Sequence, residues 1–157
     1  FTTHRPSNVD NKDNIEQILK WILEVKNISW KKVLFPIHPR TKNNIEKFGL
    51  TELLSDFEVI EPVWFIENVF LEDNAYLIAT DSGWIQEEAC ILQKKTLILR
   101  ENTERPETLE VGWAVLVWND FQKIINWFEN LKNKNIHWFN PFWDWKSAEK
   151  IFSYISK

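Results

Sequence analysis

Apolar residues in this chain fall into two kinds of run. Short unbroken runs at residues 32–37 (KVLFPI), 74–80 (NAYLIAT), 96–99 and 114–117 predict buried strands, and 58–60 adds a shorter one. Between them, apolar positions recur three and four residues apart. Ile15, Ile18, Leu19, Ile22 and Leu23 mark a helix with one buried face, with Asp13 and Glu16 at capping-box spacing ahead of it. Phe121, Ile124, Ile125, Phe128 and Leu131 form a second stripe, and Ala148, Ile151, Phe152 and Ile155 a third, in a closing helix from about residue 146. A short helix is predicted over 43–48, closed by Gly49. EPVWFIENVFLEDN supplies a loop and a helix before the strand at 74–80.

Strand and helix alternate about six times, counting residues 1–3 as the end of a strand. The strands are continuously apolar rather than alternating, which predicts an α/β fold: a parallel sheet with helices on both faces. Ligands of such sheets bind beyond the carboxyl ends of the strands. Four polar segments, HRPSN, HPRT, DSGW and ENTER, each follow a strand and are expected along one rim.

One stretch stands out. In TDSGWIQEEA, residues 80–89, a strand ends in a polar turn and a helix over 85–92 follows at once, with Asp81 or Ser82 as N-cap and Glu87 and Glu88 in its first turns. A strand feeding a helix N-terminus exposes backbone N–H groups, the arrangement by which α/β proteins hold phosphates. An ordinary capped turn would read the same way.

Composition narrows the function classes. The 157 residues are 44% apolar, enough for one domain with one core. A net charge of −4 gives no electrostatic case for nucleic acid or an anionic membrane. No apolar run approaches the roughly 18 residues of a membrane span, so a soluble, cytoplasmic protein is expected. The single cysteine, Cys90, excludes internal disulfides and cysteine-rich zinc sites and reads as a buried structural thiol. The chain has no methionine and starts at Phe1 within an apparent strand end, as expected of a piece of a longer protein.

The glycine and tryptophan counts change the picture most. About 11 glycines are expected in a chain of this length, yet there are 3, beside 10 tryptophans. Trp84 lies in the polar turn, Trp118 at a strand end, and Trp143 and Trp145 in NPFWDWK, places where turns ordinarily need glycine. These tryptophans are expected to be UGA codons read as Trp, from a genome in which UGA encodes glycine.

Taken in order, HRPSNVDN, FPIHPRT, TDSGWIQEEA, LRENTERPE, EVGWAVLVW and NPFWDWKSAE resemble the C-terminal half of the non-hydrolysing UDP-N-acetylglucosamine 2-epimerases, along essentially the whole chain. The resemblance implies a Rossmann-like domain, one of two that face across a cleft in the GT-B manner, with residues 1–157 as the C-terminal nucleotide-sugar-binding domain and the N-terminal domain absent. Family members have glycine at the places of Trp84, Trp118, Trp143 and Trp145, and often at Trp64. Trp21, Trp30, Trp113, Trp127 and Trp138 stay unassigned.

The implied reaction inverts C2 of UDP-N-acetylglucosamine without a metal or redox cofactor, eliminating UDP to a 2-acetamidoglucal and adding it back on the other face. On the matching positions, Ser82, Gly83 and Trp84 would present hydroxyl and backbone N–H groups to the diphosphate. Glu88 would accept from the ribose hydroxyls, Arg105 would add a cation, and His4 would contact phosphate and take part in catalysis. Arg5 and His38 match a regulatory second-substrate site. Departures are Ser7, where the family prefers glutamate, and Val63 and Asn68 near the uracil. The expected partners are the UDP-sugar, the N-terminal domain with its catalytic carboxylates, and a second copy in a homodimer. This half alone is expected to bind UDP weakly and turn nothing over. Alternatives are an epimerase for a related sugar nucleotide, a hydrolysing epimerase, a noncatalytic nucleotide-sugar-binding domain, and half of a GT-B glycosyltransferase.

Overall fold

The computed structural model describes residues 1–118, 121–131, 137–142 and 146–156. After the opening strand-like segment the elements run α1 (Pro6–Val9), α2 (Lys12–Ser29), β1 (Leu34–Pro36), α3 (Pro39–Lys47), a 3-10 turn (Thr51–Asp56), β2 (Glu58–Ile60), α4 (Phe65–Asn74), β3 (Ile78–Thr80) and α5 (Gly83–Ile91). They continue with β4 (Thr96–Ile98), α6 (Glu107–Glu110), β5 (Ala114–Leu116), α7 (Phe121–Leu131) and α8 (Ser147–Ile155). Trp143 and Trp145 lie outside the described residues.

All strand pairs are parallel: β1 with β2, β3 with β4, and β4 with β5. The opening residues join the two groups. Thr2 forms a parallel bridge with Thr80 and its N–H donates to the Ala79 carbonyl at 2.9 Å, while the Phe1 amino nitrogen donates to the Leu34 carbonyl at 2.9 Å. The order is therefore β2, β1, residues 1–3, β3, β4, β5. Strand succession reverses between residues 1–3 and β3, so loops there diverge and leave a crevice at the carboxyl ends.

Helices cover both faces because neighbouring strand residues point opposite ways. Ala79, Leu97, Leu99 and Val117 face one core with Ile15, Ile18, Leu19, Ile22 and Val25 of α2, Ile45 of α3 and Ile124 of α7. Ile78, Ile98 and Ala114 face a second core with Ala89 and Cys90 of α5 and Trp113. Each fully buried Ile or Leu contributes about 1.5–3 kcal/mol, so these stripes outweigh the weak local propensities of the helices that carry them. The Cys90 thiol is fully buried, and that burial pushes its pKa up to about 11, consistent with a structural thiol.

Several predicted boundaries move, each for a local reason. Helix α2 is capped by Asn11, whose side chain accepts from the N–H groups of Asp13 and Asn14, rather than by Asp13. HRPSN contains a helical turn beginning at Pro6, and HPRT opens a helix: His38 Nδ1 accepts from the Arg40 N–H at 3.2 Å and Pro39 takes the first helical position. The short helix predicted over 43–48 thus starts at Pro39, with Gly49 at φ +70 after it as expected. The run 74–80 yields a strand only from Ile78, because α4 reaches Asn74. In α8, Ile151, Phe152 and Ile155 are exposed.

Packing also sorts the tryptophans. Trp21 and Trp113 are buried, Trp138 stacks on Trp113 at 5.3 Å, and Trp127 packs on the first core. Trp30, Trp64 and Trp84 are exposed, at 93%, 84% and 74%. Trp30 closes α2 in the left-handed region at φ 56, where an L side chain costs about 1–2 kcal/mol and glycine little. Trp30→Gly should therefore raise unfolding stability by about 1 kcal/mol; urea denaturation showing a loss of that size would mean the indole holds contacts that its exposure belies.

Candidate functional site

The site assembles around Asp81. This residue follows β3, is fully buried, and draws the segment 3–8 onto the rim of the sheet. Its carboxylate accepts from Thr3 Oγ1 at 2.7 Å, from the N–H groups of His4 and Arg5 at 2.9 Å each, and from Asn8 Nδ2 at 2.9 Å. Arg5 Nε donates to the Asp81 carbonyl at 3.1 Å, and Asn8 Nδ2 also reaches the Leu99 carbonyl at 2.8 Å. Burial alone would push the Asp81 pKa up. The hydrogen bonds from His4, Arg5 and Thr3 outweigh it, and the net shift is downward.

His4 Nδ1 lies 3.2 Å from Asp81 Oδ1. That hydrogen bond raises the imidazole pKa against the opposing effect of burial, and it assigns the proton on Nδ1 to Asp81, leaving Nε2 for other partners. The His4 side chain keeps 39% of its surface exposed, so the ring is held at one edge and open at the other. The His38 ring stands beside it, with centroids 5.6 Å apart.

With Asp81 buried in this network, the cap of α5 falls to Ser82, whose Oγ accepts from the Ile85 N–H at 3.5 Å. Gly83 and Trp84 are the first two helical residues, and no carbonyl four residues back can accept their N–H groups. The helix dipole adds positive potential at the same point. A Cβ placed on Gly83 would meet only Glu104 Oε2, at 4.0 Å, so the approach to this N-terminus is open on that side. The Trp84 indole projects into solvent next to it.

The ENTERP loop closes the site from the far side. Gln86, fully buried on α5, accepts from Thr103 Oγ1 at 2.6 Å and donates to the Ser82 carbonyl at 3.2 Å. Thr103 Oγ1 in turn accepts from the Arg105 N–H at 3.0 Å. The loop thereby sets three cations around α5. Arg5 Nη2 pairs with Glu104 at 3.2 Å, Arg100 pairs with the same carboxylate, and Arg105 Nε pairs with Glu87. The Arg100 hydrogen bond, the Glu104 backbone N–H and the Arg5 charge hold the Glu104 carboxyl down at about 2.

The structure thus brings His4, Arg5, His38, Ser82, Gly83, Trp84 and Arg105 to one rim, as their positions after strands predicted. The Arg5 guanidinium is directed to Glu104 while His38 lies against His4, so these two candidates flank the histidine on different sides. Glu88 is half-buried, and its carboxyl contacts that of Glu72 on α4. Arg105 pairs with Glu87, and its side chain reaches the Glu104 carbonyl rather than that carboxylate. Sequence reasoning missed Asp81, Asn8, Gln86 and Thr103 as organisers. Buried polar residues beside a turn were their only signal, and each has a partner that lies 17–91 residues away. Among the described residues there is no cluster of His, Cys, Asp and Glu able to hold a metal ion, and no helix long and apolar enough to cross a membrane.

Comparison with known proteins gives a consistent result. The sequence pattern of the family described as UDP-N-acetylglucosamine 2-epimerase matches residues 1–156. The UDP-N-acetylglucosamine 2-epimerase of Methanocaldococcus jannaschii is 47% identical over 154 residues, 96% of this chain and 42% of that protein. A crystal structure of the M. jannaschii enzyme in complex with UDP-GlcNAc and UDP superposes with a TM-score of 0.87 at 46% identity, covering 99% of this chain and 44% of that one. The Neisseria meningitidis enzyme bound to UDP-GlcNAc superposes with a TM-score of 0.77 at 30% identity, covering 99% of this chain and 43% of that one. The chain therefore spans less than half the length of the relatives it matches, and its fold is that of one Rossmann-like half of a GT-B protein. A parallel sheet with a crevice at its switch point, and a sequence matched from residue 1 to residue 156, make this chain a member of the UDP-N-acetylglucosamine 2-epimerase family.

Proposed function

We propose that residues 1–157 are the C-terminal nucleotide-sugar-binding domain of an enzyme that interconverts UDP-N-acetylglucosamine and UDP-N-acetylmannosamine. The observation that carries this reading is the convergence of His4, Arg5 and Arg105 on the open N-terminus of α5, with Asp81 as the common anchor. The leaving group of the reaction is a diphosphate. The N–H groups of Gly83 and Trp84, the Ser82 hydroxyl and the helix dipole suit a dianionic ligand at that point. Arg105 supplies a cation on the α5 side, and Glu88 accepts from the ribose hydroxyls. His4, with Nδ1 engaged by Asp81, offers Nε2 to the departing phosphate, where it stabilises charge or donates a proton.

The residues that act at C2 of the sugar belong to a second, N-terminal domain across the cleft. Elimination of UDP to a 2-acetamidoglucal and its return to the opposite face requires that both halves close on the sugar while the diphosphate stays held. The working enzyme is a cytoplasmic homodimer, and Arg5 with His38 contributes to a regulatory site for a second substrate molecule.

UDP titrated calorimetrically into this chain should bind, and Arg105→Ala should weaken it by roughly tenfold through loss of one charge-assisted contact. The two-domain protein should convert UDP-N-acetylglucosamine to its C2 epimer, read by proton NMR. Transfer of the sugar to an acceptor with C2 unchanged would replace this reading with a glycosyltransferase.

A further inference from the structure

Glu72 and Asp81 are the two buried carboxyl side chains among the described residues; Glu72 is 5% exposed, on α4, which packs on α5. Its Oε1 accepts from Asn68 Nδ2, one turn earlier. Its Oε2 is fully buried and finds no donor among the described residues. The side chain that Glu72 does face is another acceptor, the carboxyl group of Glu88 on α5, whose charge and hydrogen-bonding proximity both raise the Glu72 pKa. Two ionised carboxylates do not persist in such contact, because repulsion in a poorly hydrated setting exceeds what either gains. A single proton between them removes the repulsion and gives the orphaned oxygen a role as donor. It belongs on Glu72, the more deeply buried partner, since burial disfavours its ion most.

We infer that Glu72 is a positioning residue whose carboxylic acid donates to Glu88 and fixes that carboxylate for the ribose hydroxyls of the nucleotide. This rests on the nucleotide reading above but adds a residue on a different helix, reaching the ligand only through Glu88. Burial first, and then the Glu88 charge, push the Glu72 pKa up to about 8. The acid is therefore protonated at neutral pH and ionises in the mildly alkaline range. The other titratable group facing it is the Phe1 amino nitrogen of this chain, which burial lowers to a pKa of about 6, so it is uncharged over the range in which Glu72 ionises. The lysines of the adjoining cavity are otherwise engaged, Lys26 with Asp56, Lys32 with Glu58 and Lys31 over the Tyr76 ring, and Lys94 holds Asp73.

The consequence is a pH-dependent hold on ribose. Below about pH 8 Glu72 keeps its proton and Glu88 is fixed; above it Glu72 ionises and the two side chains separate. The test uses the chain carrying Trp84→Gly and compares UDP with 2′-deoxy-UDP by calorimetry at pH 7 and pH 9. The parent should prefer UDP at pH 7 and lose most of that preference at pH 9. Glu72→Gln supplies a permanent N–H donor to Glu88 while still accepting from Asn68, so it should keep the preference at both pH values. Glu72→Leu fills the space without a donor and should cut the preference by roughly tenfold at both. The titrations of UDP and His4 are common to all three forms and cancel. A Glu72→Gln profile that falls like the parent, or a Glu72→Leu form with full preference, overturns the proposal. A second measurement stands apart from the ligand: carboxyl carbon NMR on Glu-labelled protein, with the Glu72 signal assigned by its loss in Glu72→Gln. An expected midpoint near 8 supports the shared proton, and a midpoint below 6 overturns it even if UDP binds. Failure of every form to bind UDP, with the midpoint near 8, would instead sink the nucleotide reading and leave the carboxyl pair standing without that ligand.

Discussion

Trp84→Gly should bind UDP at least tenfold more tightly than the tryptophan form. Trp84 is the second residue of α5, and its indole is 74% exposed, so it contributes little packing that the substitution would forfeit. The same position carries one of the two N–H groups left free to meet a diphosphate. Charge-assisted N–H to oxygen bonds form at about 2.7–2.9 Å, and at that range a ring on the donor residue competes for space with the phosphate oxygens. Glycine removes the obstruction and lets the backbone approach. The expected gain of more than about 1.4 kcal/mol follows from recovering one such bond. Equal affinities in calorimetry, with matching circular dichroism, would show that the ring turns aside at no cost. The source gene gives a second readout. Exposed Trp30, Trp64 and Trp84 should carry UGA codons, while the buried Trp21 and Trp113 should carry UGG; UGG at the first three ends the recoding explanation.

Asp81→Ala should lower stability by about 3–5 kcal/mol, the range found when one partner of a buried charged network is removed. The substitution strands the Thr3 hydroxyl, the His4 and Arg5 N–H groups and the Asn8 amide, which all converge on this one carboxylate. For a domain of this size the melting temperature should fall by about 10 °C. UDP affinity should fall too, because His4 and Arg5 lose their common anchor. The deficit should depend on pH. Asp81 has a lowered native pKa, so its contribution is present above its unfolded value of 3.8 and is lost as pH falls through the native one. His4 has a raised native pKa, so its contribution is present below 6.5 and is lost as pH rises through the native one. The gap between parent and Asp81→Ala should therefore be widest between those two values and narrow on either side. A gap constant from pH 3 to pH 9 would mean that the His4–Asp81 contact carries no charge.

Local pattern reached the site's components but not their assembly. Ser82, Gly83, His4 and Arg105 follow strands in the sequence, and a parallel sheet places strand ends on one rim whatever the details. Asp81 had two local readings, cap or turn residue. Its actual role depends on residues 73–78 positions away and has no local signature. HPRT reads as a loop because Pro and Arg are common in loops. It is a helix start because the His38 side chain caps it and proline suits the first turn.

The sequence by itself determined the alternation of elements, the parallel sheet and the family, because hydrophobic period and motif spacing are properties of the chain in order. Tertiary structure alone decided which carboxylates meet. Asp81 gathers the segment after the first strand, Glu104 is held by Arg5 and Arg100, and Glu72 faces Glu88. The reason is physical: the pKa and reach of a buried charge are set by neighbours from other elements and by the water they exclude, and neither is written in the spacing of residues along the chain.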